Sequence, residues 1–514
     1  MHFEGNTDAI FEPDERFLFY VDDAPSRWTN NKTFTLIYKA DTNGARMTVD
    51  PRLIESGGSD GQLMKRHLLE DDTIYTPNCI CGKIPAGRDG DRWVWHELRS
   101  ADIDPRVISF DLAEFDSSQS AELTLWTIGY TDLAVNNDHG LSVWLNGVDL
   151  GDLIWDGKTA YTETLTIPAN LLQTTNEVAL KLDSGAGEID GVWIDALELS
   201  YAADSAQINL GAQQTFGGEV GATALTFEQQ NGDRLWGIDV SDPNAPILFR
   251  KGASTAGQFR IHTAGLVSGR YTFAYDSDLL LPETMRLPNV LSAEQGDYVV
   301  IAPKAYHLAL DRLIDLRERE NWRPVVASLE GIYDQYGYGQ PDPESIRSYL
   351  FEAYHTWDIA PKAVLLVGDG TYDPKRNQDN AKPTVLPVYL AFVDPESGEV
   401  AADNRYAMVD GDDILPDVAI GRLPVNSIQE LNIIINKLFA YQIQDQAYRN
   451  RVAFLADDND TAGNFTNISS DVGPQLATYG YESELIQLDT VNDNLSAMQG
   501  EVHSLLQEGR GHIV

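Results

Sequence analysis

The sequence predicts a multidomain chain in which all-β modules precede an α/β domain with a mostly parallel sheet. Three observations lead there. At 514 residues the chain exceeds one ordinary domain. Up to about residue 295, short alternating apolar runs are separated by Asn, Asp, Gly and Ser turns, the pattern of half-buried antiparallel strands. From Tyr298 onward, unbroken apolar runs alternate with helical spacings, the pattern of parallel strands covered on both faces.

Taken in order, residues 1–60 form a β-rich segment with strands expected at Phe17–Val21 and Phe34–Tyr38. Residues 61–202 read as an antiparallel sandwich. Glu122–Ile128 and Glu177–Leu182 alternate with period two, and Leu141–Leu145 runs into Asn146-Gly147, the strongest short hairpin signal. Asp190–Tyr201 closes this unit, which resembles the jelly-roll, galactose-binding-like modules appended to secreted enzymes. Trp144, Trp155 and Trp193 could offer a glycan stacking faces, although aromatics in a sandwich more often pack its core or rim. Residues 203–295 repeat the strand pattern at Ala224–Phe227, Arg234–Val240, Gln258–Ile261 and Tyr271–Tyr275, a smaller β module ending near Glu294-Gln295-Gly296-Asp297.

Residues 296–514 carry the α/β pattern. Strands are expected at Val299–Ala302, Pro324–Ser328, Ala363–Val367, Val452–Ala456 and 484–488, and helices at Tyr306–Arg319, 472–479 and 495–508. Asp342 caps a helix whose first turn takes Pro343 and whose buried face is Ile346, Leu350, Ala353, Tyr354 and Trp357. Ser427 and Glu430 form a capping box ahead of Leu431, Ile434, Ile435, Leu438 and Tyr441.

Net charge is −42, from 79 acids and 37 bases, which argues against nucleic acid or an anionic membrane as partner. No apolar run reaches the roughly eighteen residues of a membrane span. The two cysteines, Cys79 and Cys81, stand one residue apart and read as structural. Both ends read as cut: Met1–Asn6 lacks the regions of a signal peptide, and Gly511–Val514 reads as a buried strand just begun.

The candidate chemistry lies between Lys362 and Leu423. The strand Ala363–Val367 stops at Gly368-Asp369-Gly370, and Asp410-Gly411-Asp412-Asp413-Ile414-Leu415-Pro416-Asp417 sets four carboxylates on a chain bent by glycine and proline. Hard cations take six to eight oxygens from such flexible loops. Asp369 with the 410–417 loop reads as one cation site at the carboxyl edge of the sheet, where sites of open α/β sheets form. A lone acidic turn usually binds nothing; an acid ending one strand and an acid loop preceding the next favour the metal.

This stretch also carries a resemblance. Leu366–Asp369, Asp403-Asn404-Arg405-Tyr406 and Ile420–Pro424, with Tyr298–Ile301 and Pro341–Arg347 upstream, resemble the gingipain-type cysteine peptidases over roughly residues 296–514. The resemblance implies a caspase-like fold, proteolysis of protein or peptide substrates, and location outside the cell or on its surface. It implies structural calcium held by the side chains of Asp369, Asp413 and Asp417 and the carbonyls of Asp410 and Leu415. Asp417 departs from the glutamate of the arginine-specific members, and Asp471 lies near their pocket acid. No nucleophile and base are recognisable. The family's His and Cys come after the final strand, so His512 is not taken as catalytic and the chain as it stands is expected to be inactive. The alternative is a non-catalytic scaffold or binding protein, carbohydrate-binding through the sandwich.

Overall fold

The structure is a computed structural model describing residues 1–4, 12, 15–21, 26–37, 46–50, 63–77, 84–183, 189–203, 214–218, 224–228, 234–249, 258–262, 270–394, 397–443, 448–457, 459, 461, 463–488, 494–509 and 511–513. It divides into two compact units, Met1–His307 with Asn321–Pro424, and Leu308–Glu320 with Val425–Val514.

The first unit begins with short strands β1 (His2–Glu4), β2 (Arg16–Leu18) and β3 (Thr48–Asp50). The strand expected at Phe34–Tyr38 does not form over the described residues 34–37. Phe34, Leu36 and Ile37 stay exposed, and Thr35 Oγ1 donates instead to the carbonyl of Tyr338 at 2.9 Å. An alternating run makes a strand only where a partner edge lies beside it.

The sandwich comprises β4 (Leu63–Glu70), β5 (Ile74–Tyr75), β6 (Trp93–Val94), β7 (His96–Arg99), β8 (Arg106–Asp111), β9 (Ala121–Gly129), β10 (His139–Leu145), β11 (Val148–Trp155), β12 (Ala160–Ile167), β13 (Thr175–Leu182) and β14 (Gly191–Ala202). One sheet runs β11-β10-β13-β8; facing it are β12-β9-β14-β4, with β7 on β14. Their inward residues share one core. Leu141, Val143, Leu145, Val178 and Leu180 of the first sheet meet Leu123, Leu125, Val192, Ile194 and Leu197 of the second, all fully buried. Asn146 and Gly147 turn β10 into β11 with φ of 51° and 78°, as an Asn-Gly hairpin requires.

The larger sheet continues past position 203. After β14 come β15 (Gln214–Gly218), β16 (Ala224–Glu228), β17 (Leu235–Asp239), β18 (Ile247–Phe249), β19 (Gln258–His262) and β20 (Arg270–Tyr275). β15 pairs with β4, and the order β4-β15-β20-β17-β18-β3 carries the hydrogen-bonded ladder from the sandwich into the second β region. β16 and β19 form a separate two-stranded antiparallel sheet.

The α/β part of this unit holds β21 (Tyr298–Ala302), β22 (Pro324–Ser328), α2 (Leu329–Tyr336), α3 (Pro343–Thr356), β23 (Ala363–Val367), the hairpin β24 (Leu390–Asp394) with β25 (Gly398–Ala401), and β26 (Ala419–Leu423); α1 (His307–Arg319) falls almost wholly in the second unit. The sheet is parallel throughout, in the order β22-β21-β23-β26. Central β21 is buried on both faces, which accounts for its unbroken Val-Val-Ile-Ala. Asp342 caps α3 by accepting from Glu344 N at 2.9 Å, with Pro343 in the first turn.

The second unit contains α1, α4 (Ile428–Ile443), β27 (Arg451–Ala456), α5 (Phe465–Ala477), β28 (Glu482–Gln487), α6 (Leu495–Glu508) and β29 (His512–Ile513). Its sheet is parallel, β28-β27-β29, with Ala453, Ile486 and Leu505 at its core. α1 lies beside α4, Arg312 reaching Asn436 Oδ1 at 2.7 Å and stacking over Phe439. The strand expected at the C-terminus forms as β29, but as an edge strand with both residues exposed rather than a buried interior one. Among the described residues no helix is long and apolar enough to cross a membrane.

Candidate active-site edge and acid loop

β23 ends in a turn only glycine can make. Gly368 has φ of 141°, and a Cβ there would meet Val385 Cγ1 at 2.7 Å. The turn presses the chain against residues 385–388, so that the Asp369 carbonyl accepts from Val385 N at 2.8 Å and Leu386 N at 3.1 Å. The Asp369 side chain, half-buried, accepts from Gly370 N at 3.0 Å.

One strand over, Arg422 of β26 binds this turn together. Its Nε and Nη2 donate to the two oxygens of Asp403 at 2.6 and 2.8 Å, Nη1 to the carbonyls of Gly368 and Leu386 at 2.8 and 2.9 Å, and Nη2 also to Pro387 O at 2.9 Å. A guanidinium has five N–H donors, and all five are used. The fully buried Tyr406 adds its hydroxyl to Pro387 O at 2.9 Å, and burial raises its pKa well above the usual value. The stretches Leu366–Asp369, Asp403–Tyr406 and Ile420–Pro424 thus meet around one cation. Sequence reasoning treats Arg422 and Asp403 as signature residues only. The signal that they pair is a lone arginine in an otherwise apolar strand, with an acid nineteen positions upstream.

The acid loop is anchored at both ends and open between them. Val409 and Val418 are buried, while residues 410–417 are all exposed. α3 holds the entry: Arg347 donates to Met408 O at 3.0 and 3.2 Å, and His355 Nε2 lies 2.9 Å from Val409 O. Asp417 Oδ2 accepts from Val409 N and Asp410 N at 2.8 Å each, and Asp413 Oδ1 from Leu415 N at 2.8 Å. The Leu415 side chain is exposed, and Gly411 takes φ of 70°. The donors suit a hard cation in kind. Among the described residues, however, no three His, Cys, Asp or Glu side chains are arranged to hold a metal ion.

The other residues singled out by sequence lie elsewhere. Asp471 is an exposed residue of α5, in the second unit, and its carbonyl accepts from Gln475 Nε2 at 3.1 Å. His307 Nε2 lies 3.3 Å from Ala302 O. His503 is exposed on α6, and His512 packs edge-on to Tyr481. Cys79 and Cys81 lie outside the described residues. Trp155 is buried between His139 and Tyr161, with no face for a sugar; Trp144 and Trp193 are half-buried, Trp193 against Tyr130.

This architecture, a parallel sheet with motif loops gathered at its carboxyl edge, is that of an α/β domain preceded by β modules. Residues 291–513 match the model of Peptidase family C25, and the chain carries a domain of that family over those residues. The dimeric latent PorU from Porphyromonas gingivalis is 16% identical, over 81% of this chain and 44% of that one, with a TM-score of 0.57. The chain therefore spans less than half of that protein's length, and the likeness is one of fold. The RgpB pro- and mature domains from Porphyromonas gingivalis are 20% identical over 37% of this chain and 41% of theirs, TM-score 0.28. The carbohydrate-binding module CBM36 in complex with calcium and xylotriose is 18% identical over 26% of this chain and 98% of that one, TM-score 0.18. No curated protein sequence matches the chain.

Proposed function

We propose that the chain is part of a gingipain-like cysteine endopeptidase that acts on protein or peptide substrates outside the cell or at its surface. In this reading the C25 domain has a caspase-like fold, the sandwich is a jelly roll, and a structural calcium ion sits on the acid loop. The observation that carries it is the C25 match together with the gathering of three motif stretches around Arg422 at the carboxyl edge. Such chemistry needs a thiolate and an activating histidine. Neither is recognisable here: His307 and His355 have ring nitrogens facing backbone carbonyls. The 514-residue chain is therefore expected to leave casein and basic-residue peptides uncut. Cleavage abolished by a thiol alkylator would place the dyad within it and overturn that part of the reading.

Calcium on the acid loop would be held by the side chains of Asp413 and Asp417 and the carbonyls of Asp410 and Leu415, drawing the carboxylates out of their amide contacts. Asp369 follows β23 at the carboxyl edge, whereas the loop leads into the amino end of β26, so Asp369 stands apart from this set. Binding to the folded state alone stabilises by about 2.7 kcal/mol at a hundredfold excess over the dissociation constant. The melting temperature should rise from chelator to millimolar calcium, and Asp413→Ala should remove the response. A flat titration in the parent chain counts against the site. Asp471 is the candidate acid for a basic substrate side chain.

A further inference from the structure

Within the first unit, the loop leaving the carboxyl edge at residues 371–401 is fastened to the β5–β6 hairpin of the sandwich. Tyr372 stacks on Tyr75, centroids 4.5 Å apart and planes 19° from parallel, with Trp93 beside it at 6.2 Å. Lys375 Nζ donates to Asp72 Oδ2 at 2.6 Å. Glu399 accepts from both Nη atoms of Arg27, Nη1 at 2.8 Å, and from Tyr75 Oη at 2.9 Å; its own amide donates to Pro77 O at 3.1 Å. Arg92 lies over the ring of Phe392 at 5.2 Å. The Glu399 side chain is 7% exposed and that of Arg27 22%, so this pair is largely shielded from solvent.

Two buried atoms beside these contacts have no hydrogen-bond partner among the described residues, Asp91 Oδ2 and Arg27 Nε. Asp91 is 4% exposed, and its other oxygen accepts from Trp93 N at 2.7 Å. We propose that Asp91 is a positioning residue that makes this fastening depend on protonation. With Asp91 neutral, Arg27 serves Glu399 and the loop is held; when Asp91 gives its proton to solvent, the buried carboxylate competes for Arg27 and the loop loosens. The inference rests on the proposed reading only in taking the carboxyl-edge loop as part of the site.

The charges facing Asp91 are Asp89 and Asp72 from its own side and Arg27 across it; Glu399, Tyr75 and Arg92 in turn face Arg27, and Lys375 pairs with Asp72. Burial, then Asp89 and Asp72, outweigh the Trp93 amide and Arg27 and push the Asp91 pKa up to about 7. An acid with a raised folded pKa binds its proton more tightly when docked. The fastening is therefore strongest at low pH, weakens as pH rises toward about 7, and changes no further above it.

The test is amide hydrogen exchange of peptides from 371–401 in the 514-residue chain between pH 5 and 8, corrected for intrinsic rates, with chelator and with calcium. Protection should fall by up to roughly tenfold per pH unit below about 7. Asp91→Asn should keep the low-pH protection through pH 8, and Glu399→Gln should lower protection throughout. Peptides from β21 report that the unit remains folded. A flat parent profile, or Asp91→Asn following the parent, overturns the proposal. If Asp91→Asn fails to fold, the parent profile decides: a transition near pH 7 in the loop and not in β21 supports it. Asp195, buried beneath the Arg88 amide with its pKa raised to about 6, would titrate regardless of residue 91. The readout needs neither catalysis nor a cation, so an inactive or calcium-blind chain leaves it standing.

Discussion

Replacing Arg422 with alanine should destabilise the first unit by about 3 kcal/mol, the range expected when one partner of a shielded, multiply bonded ion pair is removed. The Arg422 side chain is 10% exposed and that of Asp403 26%. Its loss strands one carboxylate and the carbonyls of Gly368 and Leu386 at once, while Pro387 O keeps the Tyr406 hydroxyl. Part of the cost at Asp403 is recovered by water, which keeps the estimate at the lower end. Lysine keeps the charge but cannot reproduce the fork, so Arg422→Lys should cost roughly 2 kcal/mol. Asp403→Asn, which retains an acceptor, should cost less than either. Urea unfolding with a constant slope measures these differences; a loss below about 1 kcal/mol for Arg422→Ala would mean that the three stretches hold together without the clamp.

The same residue marks where sequence reasoning stops. Apolar pattern locates β21 because a strand buried on both faces has to be apolar throughout, and it locates α3 because its cap and its buried stripe agree. Asn146-Gly147 reads as a hairpin turn and is one, because few other pairs accept two positive φ angles. Period says nothing about partners. That Arg422 reaches the Gly368 carbonyl depends on β23 and β26 being neighbours, a fact of topology. Phe34–Ile37 alternates as a strand should and forms none. α2 is short and has Gly331 inside it, so propensity hides what Ser328 Oγ, accepting from Gly331 N at 3.1 Å, holds in place. At the acid loop the residue types were legible, but the turning of Asp417 and Asp413 toward nearby amides was not. Local amides compete with any cation for short side chains.

His139→Ala should be the most costly change in the sandwich, about 3 to 5 kcal/mol. The imidazole is fully buried, with Nδ1 2.7 Å from Asp190 Oδ1, Nε2 3.0 Å from Gly157 O and 3.4 Å from Asp138 Oδ1. Without it, the fully buried Asp190 keeps only the Thr131 hydroxyl on that oxygen, and its second oxygen already has no partner among the described residues. Burial opposes a charge on the ring, yet the hydrogen bond and charge of Asp190, the Gly157 carbonyl and Asp138 together outweigh it and leave the pKa above the usual histidine value. The sign follows from linkage. A raised folded pKa means the ring's contribution is complete below the unfolded value of about 6.5 and is lost as pH rises through the folded one. The sandwich should therefore be more stable at pH 6 than at pH 9, a difference that His139→Ala abolishes. Amide exchange of β10 peptides reads this locally, apart from the loop transition set by Asp91. Equal β10 protection at both pH values in the parent chain, or a His139→Ala variant as stable as the parent, would show that Asp190 is satisfied without a charged ring.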